Sequence, residues 1–144
     1  MSALVIDTNI ALDLLVFEDP AVAALRDALH AQSLGWLATA AMREELLRVL
    51  EYPQIARRLR ARDLPAQAVL DRFDQLHRPV PEAAKAPYTC RDPDDQKFID
   101  LAVAHASPLL SKDAAVLCMA KRLSRVGVRV CRVWSPVALE MPVS

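Results

Sequence analysis

Near the N-terminus a four-residue apolar run, Ala3-Leu4-Val5-Ile6, stops on a carboxylate, and Asp7 is followed by Thr8 and Asn9. A short continuous apolar run reads as a strand buried on both faces. Such strands belong to parallel sheets covered by helices. In open sheets of this class, ligands bind beyond the C-terminal ends of the strands, which is where Asp7 stands. An unpaired buried carboxylate is costly, so Asp7 calls for a metal ion, a base or a hydrogen-bonding cap.

The rest of the chain repeats the strand-then-helix order. Asn9 to about Phe17 reads as a short helix, with Ile10, Leu14 and Phe17 on one side. Asp19-Pro20 is an N-cap with proline at the first helical position, opening a helix over 20–31. Leu34 to Ala38 reads as the second strand, and Thr39 caps a helix over about 40–51. Pro53 interrupts it before an arginine-rich helix, and Asp63 to His77 offers another, with Pro65 near its start. Pro79, Pro81, Pro87 and Pro93 mark a connecting segment with a short strand near Val80. Asp92-Pro93 opens a helix to about Ala106, and Pro108 to Ser111 is a buried strand. Asp113 caps a helix to about Val126 that Gly127 ends; Val128 to Trp134 is a strand, and Ser135-Pro136 starts a last turn. This order implies a parallel sheet with helices on both faces, and residues 1–144 read as a single domain.

Composition removes several function classes. Gly35 and Gly127 are the only glycines, so no glycine-rich phosphate loop exists here. There is no glycine-flanked serine nucleophile and no zinc-protease helix motif. His30, His77 and His105 lie far apart. Three widely spaced cysteines, Cys90, Cys118 and Cys131, fit a reducing cytoplasm better than a disulfide framework or zinc site. Charge interrupts every long apolar stretch, so no membrane span is expected, and the N-terminus does not read as a signal peptide. Basic and acidic residues balance at 18 each, which argues against a large nucleic-acid surface but leaves room for a local one. Two local clusters stand out: Arg57, Arg58, Arg60 and Arg62, and then Lys121, Arg122, Arg125, Arg129 and Arg132.

Four acids gather at one edge when placed on such a sheet. Asp7 follows the first strand, and Asp113 lies two residues past Ser111 at the end of a later one. Asp95 lies in the first turn of the helix opened by Asp92-Pro93, and Glu45 in the second turn of the helix after strand two. At about 100° per residue, Met42, Leu46, Leu47, Val49 and Leu50 define that helix's buried face. Glu45 falls on its border and Glu44 nearly opposite. Crowded carboxylates raise one another's pKa, and a divalent cation relieves the crowding. Oxygen donors suit Mg²⁺ or Mn²⁺, and such a centre supports in-line displacement at phosphorus.

Plainer readings exist for each residue taken alone. Asp92-Pro93-Asp94-Asp95 is also a stable helix start, and Asp113 an N-cap. Glu45 is also a solvated helix residue, and the arginine run a solvated face. Asp13, Asp27, Asp71, Asp74 and Asp100 read as surface charges. Joint placement at one edge, rather than any single spacing, favours the metal centre.

Four motifs in order carry a resemblance. They are Val5-Ile6-Asp7-Thr8-Asn9, Glu44-Glu45-Leu46-Leu47-Arg48-Val49-Leu50, Arg91-Asp92-Pro93-Asp94-Asp95-Gln96-Lys97-Phe98 and Leu109-Leu110-Ser111-Lys112-Asp113, with a closing Val133-Trp134-Ser135-Pro136. Nearly the whole chain resembles the PIN-domain nucleases, in particular VapC-like toxin components of bacterial toxin–antitoxin pairs. The resemblance implies a three-layer α/β/α fold around a parallel sheet of four or five strands. It implies an acidic quartet, Asp7, Glu45, Asp95 and Asp113, that binds Mg²⁺ or Mn²⁺ and cleaves RNA, supported by hydrogen bonds from Asn9 and Ser111. It also implies a homodimer and an antitoxin partner. Lys112 stands where many relatives carry a small residue, which leaves it to pair with Asp113, meet a phosphate or compete with the metal.

Two rivals remain at this stage. A haloacid-dehalogenase-like phosphotransferase also places Asp after its first strand, but normally has a second Asp where this chain has Asn9. The other rival is a PIN-like scaffold that binds without catalysis.

Overall fold

The computed structural model describes Ser2–Ser135. Strand β1 (Ser2–Ile6) is its centre, with Leu4, Val5 and Ile6 all buried. Three consecutive buried side chains point to alternate faces of the sheet, so both faces must be covered. On one side β1 pairs with β2 (Leu34–Ala38), which pairs with β3 (His77–Pro79). On the other it pairs with β4 (Leu109–Leu110), and β4 with β5 (Val130–Cys131). All four pairings are parallel, in the order β3-β2-β1-β4-β5.

Helices fill every crossover: α1 (Thr8–Leu12) and α2 (Ala23–His30), then α3 (Ala40–Leu50), α4 (Pro53–Ala61) and α5 (Ala66–Leu76), then α6 (Gln96–His105), then α7 (Ala114–Leu117) and α8 (Ala120–Ser124). The chain winds outward from β1 to β3, returns, and winds the other way through β4 to β5. Right-handed crossovers therefore send the helices before β3 to one face and those after it to the other. The direction reverses beside β1, which makes the crevice beyond the ends of β1 and β4 the switch point of the fold.

The core is a continuous apolar cluster in which Leu101, Ile99, Val69 and Leu109 are fully buried. Each such side chain contributes roughly 1.5–3 kcal/mol. Trp36 on β2 meets Phe73 on α5 edge-to-face at 5.1 Å, and His77 stacks on Phe73 at 4.0 Å. This pins the edge strand β3 to its helix.

Caps stand where the sequence places them. Thr39 accepts from the Met42 amide, Asp19 from Ala21, Asp92 from Asp94 and Asp113 from Ala115. Gly127, with φ +82°, ends the segment after α8.

Several expectations are corrected. The helix expected over 9–17 stops at Leu12 and widens into a π-helical turn over Asp13–Phe17, closed by Glu18 in a left-handed conformation. The turn's carbonyls are met from elsewhere: Arg72 donates to Leu15 at 3.3 Å and Arg62 to Phe17 at 3.1 Å. The helix expected from Asp113 to Val126 breaks after Leu117 into α7 and α8, placing Met119 and Leu123 in the core. The strand expected over 128–134 is only two residues long; it lies at the sheet edge, and Val133 beyond it is 60% exposed. The turn expected at Ser135-Pro136 runs outside the described residues. No helix among the described residues is long and apolar enough to cross a membrane.

Candidate metal centre

Backbone register sets the first two residues side by side. The Asp7 amide donates to Leu110 O at 3.0 Å, and the Ser111 amide to Cys131 O at 2.9 Å, so both side chains emerge just past the ends of β1 and β4. Asp7 is 2% exposed. Its Oδ1 accepts from the Ile10 amide at 3.0 Å, capping α1, and its Oδ2 accepts from the Ser111 hydroxyl. Burial raises the Asp7 carboxyl above its usual range, against the lowering pull of the Ser111 and Ile10 hydrogen bonds. The Ser111 hydroxyl is itself ordered, accepting from the Asp113 amide at 3.0 Å. Asp113 then caps α7, its Oδ1 accepting from Ala115 at 2.8 Å.

Asp95 arrives from a separate element, a 3₁₀ turn (Pro93–Asp95) that leads into α6. One carboxylate oxygen from each of Asp92, Asp95 and Asp113 lies within 4.8 Å of the others. Asp95 Oδ2 is buried without a hydrogen-bond partner. The Asp95 carboxyl is pushed up to about 7, first by burial. The Asp113 carboxylate adds to this, through its charge and through a hydrogen bond that a protonated Asp95 makes to it; Asp92 and Asp7 contribute smaller pushes. A cluster that must take up a proton near neutral pH has a place for positive charge. Its donors are carboxylate oxygens alone, which fit a hard divalent cation.

Glu45 reaches this cleft from α3. Its Oε2 accepts from the Thr8 hydroxyl, and its Oε1 accepts from Lys97 Nζ at 2.6 Å. Glu44 is exposed, as the helical phase predicts. Asp7, Glu45 and Asp95 share one cleft of about 280 Å³, rimmed by Tyr52, Gln54 and Asn9. Two larger hollows, of about 500 and 360 Å³, lie beside β3, and neither gathers carboxylates at one point. Chemistry rather than size selects the cleft.

The structure thus brings Asp7, Asp95 and Asp113 to one edge and adds Asp92, which the sequence reads as a helix start. Asp7 and Glu45 both line the cleft, and both lie outside the group of three close carboxylates. Ser111 supports Asp7 as expected. Asn9 is exposed at the rim, and the hydroxyl that holds an acid from this motif belongs to Thr8.

Two other readings change. Lys112 pairs with Asp13, which is 6% exposed and therefore no surface charge. Asp100 is half-buried and accepts from the Ala86 amide and the Gln96 side chain, both at 2.8 Å. In the arginine run, Arg58 lies over the Phe17 ring at 4.7 Å and Arg62 meets the Phe17 carbonyl, while Arg57 and Arg60 face solvent.

The sequence reading missed Thr8 and Lys97. Both stand inside quoted motifs, but their partner Glu45 is 37 and 52 residues away. No local spacing connects them.

A family model described as PIN domain matches residues 3–115. Among solved structures, VapBC2 from Rickettsia felis, bound to a DNA fragment from their promoter, superposes with a TM-score of 0.62. The alignment covers 89% of this chain and 98% of the matched one at 13% identity, a level at which the likeness shows the fold. No curated protein matches the chain.

Proposed function

This chain belongs to the PIN-domain family, and from that premise we propose that it is a Mg²⁺- or Mn²⁺-dependent endoribonuclease. The observation that carries the reading is the close set of Asp92, Asp95 and Asp113 carboxylates beside Asp7, at the switch point of the sheet. Asp92, Asp95 and Asp113, with Asp7 beside them, would hold a divalent cation, which would supply positive charge for an in-line displacement at phosphorus.

The chain's own residues do the rest. Asp7 is locked by the Ser111 hydroxyl and the Ile10 amide, so its carboxylate stays aimed without reorganisation during reaction. Each Glu45 oxygen accepts one protein hydrogen bond and keeps a second lone pair, with which it orients an attacking water. Tyr52, half exposed at the rim, offers a ring on which an unpaired base stacks. Products carry 5′-phosphate and 3′-hydroxyl ends.

An RNA-cleavage assay with Mn²⁺ tests the reading. Asp7→Asn is expected to be silent while its circular dichroism stays native; full activity in that variant, or in excess chelator, would sink the mechanism. The phosphotransferase rival normally needs a second Asp two residues after Asp7, where this chain has Asn9, exposed at the rim; an aspartyl-phosphate trapped on Asp7 would favour it.

The likeness to VapBC2 supports a toxin role with a cognate antitoxin; a homodimer in the cytoplasm belongs to the same proposal. Growth arrest on expression, relieved by co-expressing the product of the neighbouring reading frame, tests that role. Harmless expression of the active enzyme counts against it.

A further inference from the structure

The two walls of the cleft differ in what balances their charge. Glu45 is closed on both oxygens, by Thr8 on one and by the Lys97 ammonium at 2.6 Å on the other. The same ammonium donates to the Asp94 carbonyl, also at 2.6 Å. It is anchored at two points, with side chains only 23% exposed for Lys97 and 14% for Glu45. Lys112, the other nearby amine, is committed to Asp13. The aspartate wall reaches the cleft through Asp95, which has Asp92 and Asp113 close beside it and Asp7 near enough to raise it.

Resting on the nuclease reading above, we propose that Lys97 is a positioning residue whose ammonium takes the place beside Glu45 that a second divalent ion would otherwise fill, so that the cleft takes one such ion. The reason is electrostatic. A divalent ion approaching Glu45 meets a carboxylate already neutralised in a partly buried setting, and a like charge at contact distance. It has to displace the ammonium from two short hydrogen bonds before it gains one ligand. The aspartate wall offers three carboxylates and no such competitor. Through Glu45, Lys97 also sets the direction in which that carboxylate's remaining lone pairs point.

Titration of the whole chain with Mn²⁺ alone, followed by calorimetry and by electron paramagnetic resonance, tests this without reference to activity. The wild-type chain is expected to bind one Mn²⁺. Lys97→Met is expected to bind two, with the spin–spin broadening of ions roughly 4 Å apart, the spacing of two-metal sites. Lys97→Arg keeps the charge and should return the count to one. Lys97→Met combined with Glu45→Gln removes the second ion's ligand and should do the same. Two ions on the wild-type chain, or one on a folded Lys97→Met variant, overturn the proposal while leaving the nuclease reading intact. A wild-type chain that binds no Mn²⁺ overturns both. The wild-type count alone still decides if Lys97→Met does not fold.

Discussion

Where Asp95 enters the cleft, it stands close to Asp92 and Asp113 with a buried, unpartnered oxygen, while on the glutamate side Glu45 is satisfied by Thr8 and Lys97. Both walls are built from the same residue types. What separates them is where a cation already stands. The aspartate wall is strained by burial and then by its own charge, which together push Asp95 up to about 7. The glutamate wall is settled before any ligand arrives. A carboxylate cluster is therefore read less by how many acids it holds than by which of them still need a partner.

The largest effect that would break the comparison comes from neutralising one acid on each wall. Asp95→Asn removes a ligand from the strained wall and should lower the RNA-cleavage rate about a thousandfold, since bound-metal stabilisation is worth several kcal/mol at roughly 1.4 kcal/mol per decade. It should also weaken Mn²⁺ binding in a calorimetric titration. Glu45→Gln keeps an acceptor for Thr8 or Lys97 and should cost only about tenfold in rate, with one Mn²⁺ still bound. Equal losses from the two variants would remove the distinction between the walls.

A smaller, pH-dependent effect sharpens it. In the metal-free fold Asp95 titrates at about 7, against 3.8 for an ordinary Asp. Between those values the folded chain holds a proton that the unfolded chain has lost, so stability falls as pH rises. The contribution is complete below 3.8 and disappears as pH passes about 7. Thermal melts in chelator should show this decline, and Asp95→Asn should flatten it. Because the cation competes with that proton, Mn²⁺ affinity should climb across the same range. A melt profile unchanged by Asp95→Asn would place the proton elsewhere.

Lys112 marks how far local pattern carries. Beside Asp113 in sequence, it reads as that residue's partner or a phosphate contact. In the fold it reaches Asp13, 99 residues away, in a π-helical turn that no periodicity announces. The same turn uses Arg58, Arg62 and Arg72 as supports. Part of a basic run that resembles a nucleic-acid surface is therefore structural. Asp92 was ambiguous for a related reason: a helix-opening Asp-Pro is a complete local explanation, and only the position of Asp113 makes it a candidate ligand as well.

The sequence by itself determined the strand–helix order, the buried central strand, the caps at Thr39, Asp92 and Asp113, and the arrival of Asp7, Asp95 and Asp113 at one sheet edge. These follow from short-range rules: period, apolar run length, cap chemistry and the common direction of parallel strands. Only the tertiary structure decided that Asp92 joins the aspartates, that Glu45 is closed by Thr8 and Lys97, and that Lys112 serves Asp13. Those are pairings between residues far apart in sequence, and charge compensation depends on distance in space, which no local pattern encodes.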